Sequence, residues 1–148
     1  MIAMNLPRIT VENYPFANDR RTWLISIADM NQQPANVPQD KFERILFVHF
    51  DDLDHFHEPE CTEEERPRFL NDETAAEMVA FINEAKEQQV DMIVNCHAGV
   101  CRSGAVVEVL KLAGWAIDSE NQFSPERKPN MFVYNKLRLA LGFKHSWE

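Results

Sequence analysis

Between residues 92 and 112 the chain carries a short apolar segment, a glycine-containing loop and a run that is apolar nearly all round. The segment is Met92-Ile93-Val94, and the run contains Ala105, Val106, Val107, Val109, Leu110 and Leu112. A helix with apolar residues on every side has to be buried on every side, and Gly114 supplies its stop. A strand that turns tightly into a central helix predicts a layered α/β arrangement. Other periodicities agree. Ile45 to Phe50 is almost continuously apolar, as in a buried parallel strand. Asp72 to Gln89 places Met78, Val79, Ile82 and Ala85 on one helical face, with Asn71 or Asp72 as its cap. Asn130 to Leu141 follows Pro129 and places Val133, Leu137 and Leu141 on one face. Ile9-Thr10-Val11 and Thr22 to Ile27 are predicted as two early strands, with the turn-rich stretch Asn13 to Arg20 between them and a loop over Asn31 to Pro38. The expected fold class is α/β, a central mostly parallel sheet flanked by helices on both faces.

The 148 residues suit one domain, residues 1–148, with no repeat, low-complexity tract or linker. An apolar content of 45% marks a globular chain. A formal net charge of −9 argues against sequence-independent binding to nucleic acid or to an anionic membrane. It also disfavours a polyphosphorylated substrate. No apolar stretch is long enough to span a bilayer. Met1 to Thr10 holds Pro7 and Arg8 where a signal peptide needs an unbroken apolar run, so no signal is expected. Three cysteines, an odd count, then predict reduced thiols and a cytoplasmic location.

The loop itself reads Asn95-Cys96-His97-Ala98-Gly99-Val100-Cys101-Arg102-Ser103-Gly104. A cysteine, five residues, then an arginine and a serine is the spacing of a phosphate cradle with a thiolate at its base. A helix N-terminus and a nearby arginine favour the thiolate form of a cysteine. The backbone N–H groups of His97, Ala98, Gly99, Val100, Cys101 and Arg102 can converge on phosphoryl oxygens. The Arg102 guanidinium adds a planar, two-pronged contact that stabilises charge in a phosphoryl-transfer transition state. Gly99 permits the sharp turn, and Gly104 is expected to let the helix pack closely on the sheet. Ser103 is placed to hydrogen-bond the Cys96 sulfur. The spacing alone is a weak motif, equally met by a buried cysteine beside a surface arginine. The Ala-Gly inside it, the Ser-Gly after it and the flanking strand and helix carry the assignment. Cleaving a phosphate monoester also needs a proton for the leaving oxygen. Asp51, Asp52 and Asp54, just after the Ile45–Phe50 run, are the candidates.

Cys96 to Gly104 resembles the signature loop of the cysteine-dependent protein tyrosine phosphatases, nearest to compact dual-specificity-like and bacterial tyrosine-phosphatase-like members. The order of elements is similar too: an acidic loop after a strand, a helix, a strand, the signature loop, a helix. The resemblance implies that Cys96 forms a phosphocysteine, Arg102 binds phosphate and Ser103 assists breakdown of the intermediate. It selects Asp52 as the acid from the pattern Phe50-Asp51-Asp52, with Asp54 and Asp51 as rivals. It implies no metal and no cofactor, and a phosphoprotein or small phosphate monoester as substrate. No lysine lies inside the loop, unlike the phosphoinositide-directed relatives. Two positions depart from the pattern. Asn95 stands where the family usually has histidine, and an amide there can still orient neighbouring backbone. Cys101 before the arginine is similar to the low-molecular-weight tyrosine phosphatases, whose loop lies near the chain start, unlike this one. That parallel implies a Cys96–Cys101 disulfide under oxidation, against the simpler role of a small buried residue. Rhodanese- or arsenate-reductase-type chemistry and phospho-binding without turnover are the rival functions; Ser103 and the upstream acids favour the phosphatase.

Residues 55–70 have no periodicity, two prolines and many acids. His55, His57, Glu58 and Cys61 are close in sequence, but their spacing matches no zinc pattern, and no metal is expected. Glu60 to Glu65 is expected to face solvent, in an insert that rims the phosphate site. His97 is expected at the rim as well.

Overall fold

The computed structural model describes residues 1–17, 19–53, 62–64, 66–118 and 120–144. Among them five strands form one sheet: β1 (Ile2–Pro7), β2 (Thr22–Ala28), β3 (Arg44–His49), β4 (Asp91–Cys96) and β5 (Ala116–Ile117). Their order is β3-β2-β4-β1-β5, and every neighbouring pair is parallel. A parallel sheet needs a covering layer on each face. One face takes α2 (Asp72–Gln88), α3 (Arg102–Leu112) and α4 (Met131–Ala140). Trp23, Ile25, Ile27, Val48, Met92 and Val94 pack there against Met78, Ile82, Val106, Leu110, Val133 and Leu137. The other face is thinner. Leu6, Leu24 and Ile93 meet Val11 of the short α1 (Arg8–Glu12) and Ala35, Val37 and Phe42 of the loop before β3. No described helix is long and apolar enough to cross a membrane.

α3 is central, as its apolar sequence requires: only Lys111 in it is exposed. It packs on β1, β4, β5 and α4. The Asn71 Oδ1 accepts the Thr74 N–H at 2.7 Å and caps α2. The left-handed Gln89 closes the same helix. The start of the chain differs from expectation. Ile9-Thr10-Val11 is helical and not a strand, while residues 2–7 supply the strand. Three adjacent apolar residues do not distinguish the two states. Here only Val11 of α1 is buried, and Ile9 is 67% exposed. Pro7 fits the junction because it needs no N–H to continue the ladder and has a φ of −67°.

The parallel arrangement points the carboxyl ends of β2, β3 and β4 to the same edge of the sheet. Asp29, Phe50 to Leu53 and the 96–102 loop therefore meet in one crevice, where open α/β sheets bind their ligands.

Candidate active site

The crevice holds a cavity of about 400 Å³ lined by Cys96, His97, Ala98, Cys101 and Arg102 from the loop. Opposite lie Asp29 after β2, Asp51, Asp52 and Leu53 after β3, and Arg68. Cys96 ends β4, is 2% exposed and has its Sγ 3.2 Å from the Ser103 Oγ. Ser103 is wholly buried in the first turn of α3.

The loop between them is held from outside. Its His97 carbonyl accepts the Arg8 N–H at 3.1 Å, and its Gly99 carbonyl accepts the Asn5 Nδ2–H at 2.7 Å. The Val100 carbonyl accepts from Lys128, and the Cys101 carbonyl accepts from both Ala105 and Asn130. Carbonyls engaged outward leave the amide edge of the loop for an anion. Gly99 has a φ of +73°, and a Cβ on it would lie 2.4 Å from the Leu6 carbonyl carbon and from the Pro7 nitrogen. The loop thus turns directly over the end of β1, as only glycine allows. Gly104 serves a different purpose from the expected one. The group nearest its absent side chain is Arg127, at 3.3 Å, and not the sheet.

Arg102 is 5% exposed. Its Nη1 donates to the Asp29 Oδ1 at 2.6 Å and to the Phe50 carbonyl at 2.8 Å. Its Nε is buried and has no hydrogen-bond partner among the described residues. A buried guanidinium held on one edge, with an unpartnered donor, is prepared for a second anion. Asp29 was not among the residues singled out from sequence, although an acid at the carboxyl end of a buried strand was a signal for it.

The three acids after β3 separate. Asp51 is 6% exposed, ion-pairs with Arg68 and accepts the Met30 N–H at 2.9 Å. It is committed to holding its own loop. Asp52 is exposed, and its Oδ1 accepts the Asn130 Nδ2–H at 2.8 Å. Asp54 lies outside the described residues, as do His55, His57, Glu58 and Cys61. Cys101 is half-buried and a free thiol, as Cys96 is. Burial first, and then the neighbouring Asp52 carboxylate, push the Cys101 thiol up from its ordinary pKa. Cys101 therefore stays protonated at neutral pH.

Gly99 and Val100 belong to the loop but do not line the cavity; the other expected phosphate-binding positions do. His97 is exposed at the rim, as expected. Asn95 makes no side-chain hydrogen bond to backbone among the described residues. It is fully buried, stands beside Leu6 and Ser26 on the sheet face opposite Cys96, and neither amide atom has a hydrogen-bond partner among the described residues.

No family model matches the sequence, and no curated protein matches it. Among solved structures, the chain is similar to a crystal structure of Tk-PTP in the active form. The two share 13% identity over 93% of this chain and 78% of that one, with a TM-score of 0.44.

Proposed function

We propose that this protein hydrolyses phosphate monoesters through a cysteinyl-phosphate, acting as a protein tyrosine phosphatase whose range includes phosphoserine and phosphothreonine. The observation that carries this is the single cavity shared by the Cys96 thiol, the buried Arg102 guanidinium and the Asp52 carboxyl. The loop amides and Arg102 hold the non-bridging phosphoryl oxygens. A lone pair of the Cys96 thiolate attacks phosphorus, the bond from phosphorus to the ester oxygen breaks, and that oxygen takes the proton of Asp52. Water then attacks the phosphocysteine, its proton passes to the Asp52 carboxylate, and sulfur leaves as thiolate. The Ser103 hydroxyl, 3.2 Å from the sulfur, donates a hydrogen bond to the departing thiolate. The Asp29 carboxylate keeps the guanidinium turned to the cavity. Nothing in this sequence of steps needs a metal or a cofactor.

Hydrolysis of p-nitrophenyl phosphate by the wild type and by Cys96→Ser tests the assignment. The wild type turns over, and Cys96→Ser does not. Turnover that survives in Cys96→Ser overturns the mechanism. A wild type that binds a phosphotyrosine peptide without hydrolysing it is a phospho-binding module instead. One that takes sulfur from thiosulfate is a sulfurtransferase.

A further inference from the structure

The described residues place one side chain between the acid loop and the phosphate loop, and no step above uses it. Asn130 is 2% exposed and stands just before α4. Its Oδ1 accepts the Val133 N–H at 3.1 Å and caps that helix. Its Nδ2 donates to the Asp52 Oδ1 at 2.8 Å and to the Leu53 carbonyl at 3.0 Å. Its backbone N–H donates to the Cys101 carbonyl at 3.0 Å. The amide cannot be turned over. Reversing it would set its oxygen against two acceptors and its NH₂ against the Val133 N–H. The stretch leading to it lies along the same loop. The Lys128 N–H donates to the Val100 carbonyl at 3.2 Å, and Arg127 occupies the space beside Gly104.

We propose that Asn130 is the positioning residue of the general acid, fixing the Asp52 carboxyl to the phosphate loop and assigning its two oxygens different tasks. This rests on the phosphatase reading above. A carboxyl oxygen that accepts an N–H is the carbonyl oxygen of the protonated acid, so the proton sits on the other one, Oδ2. During bond cleavage that proton moves from Oδ2 to the leaving oxygen, and Oδ1 keeps its bond to Asn130. Because Asn130 is tied by its backbone to Cys101, the distance from acid to phosphorus is set by the phosphate loop itself. The Cys101 thiol also lies against the Asp52 carboxyl, but Asn130 is the group that donates an N–H to it, and a misplacement of about 1 Å can cost roughly 100-fold in rate.

The test compares phenyl phosphate, whose poor leaving group needs the proton, with p-nitrophenyl phosphate, which needs it less. Asn130→Ser keeps an oxygen to cap α4 but is too short to reach Asp52. Asn130→Asp keeps the cap and the reach but has no N–H to donate. Melting temperatures show whether each variant is folded, and the two variants back each other up. Both are expected to lose about 10- to 100-fold in kcat on phenyl phosphate, several times more than on p-nitrophenyl phosphate, with KM little changed. In an Asp52→Asn background the further loss from Asn130→Ser is expected to vanish, because the acid it positions is gone. Equal loss on both substrates, or an undiminished loss in the Asp52→Asn background, overturns the positioning role and leaves the phosphatase reading standing. Turnover by Cys96→Ser overturns the phosphatase reading itself.

Discussion

Gly99 is where a single side chain would do most harm. Its φ of +73° and the 2.4 Å approach to Leu6 and Pro7 act together, so strain and collision add. Gly99→Ala is expected to destabilise the fold by roughly 1–3 kcal/mol and to abolish phosphate binding, read from urea denaturation and from inorganic-phosphate inhibition. A full-strength inhibition constant in Gly99→Ala would show that the loop tolerates the shift. The need for glycine at this turn was legible from the spacing, because a loop that closes around an anion must reverse within few residues. The partner at Gly104 was not legible, since Arg127 is brought there only by the chain after β5. Asn95 was visible as an unusual residue before Cys96. That its amide has no hydrogen-bond partner among the described residues was not visible in the sequence, because its sheet neighbours, Leu6 and Ser26, are set by the strand register.

At the scale of elements, α2, α3 and α4 stand where their apolar patterns predict them. Asn71 is the cap of α2, and the carboxamide there replaces one of the orphan N–H contacts of the first turn. Asn71→Ala is expected to cost about 1 kcal/mol, seen as a drop of a few degrees in melting temperature with the rate on p-nitrophenyl phosphate unchanged. A drop no larger than that of a neutral surface substitution would remove the cap from the account. Local pattern failed where length was short. α1 has five residues and β5 has two, too few for a period to show. β1 alternates Ile2, Met4 and Leu6 with Ala3 and Asn5, and both sets are at least half-buried because the strand is covered on both sides.

For the whole molecule, tertiary packing governs ionisation as well as shape. Tyr14 packs against Phe16 and Phe42, and its phenol is pushed up to about 12, first by burial and then by Asp91 and Asp19. Burial also raises Tyr134. An unfolded tyrosine ionises near about 10, so the folded protein holds the Tyr14 proton more tightly than the unfolded chain does. That stability is complete below pH ~10 and is lost as the pH rises through the folded value. The urea midpoint is expected to fall between pH 10 and 12, and less steeply in Tyr14→Phe. A phenolate absorbance for Tyr14 that rises at the ordinary value would contradict it. The amino-acid pattern by itself determined the α/β class, three of the helices and the loop with its cysteine and arginine, because periodicity and spacing are local properties of a chain. Only the tertiary structure decided that Asp29 holds Arg102, that Asp51 is spent on Arg68, and that Asn130 reaches Asp52 from 78 residues away. Those contacts come from parallel strands that deliver distant loops to one edge of a sheet, and no local pattern records which side chains will meet there.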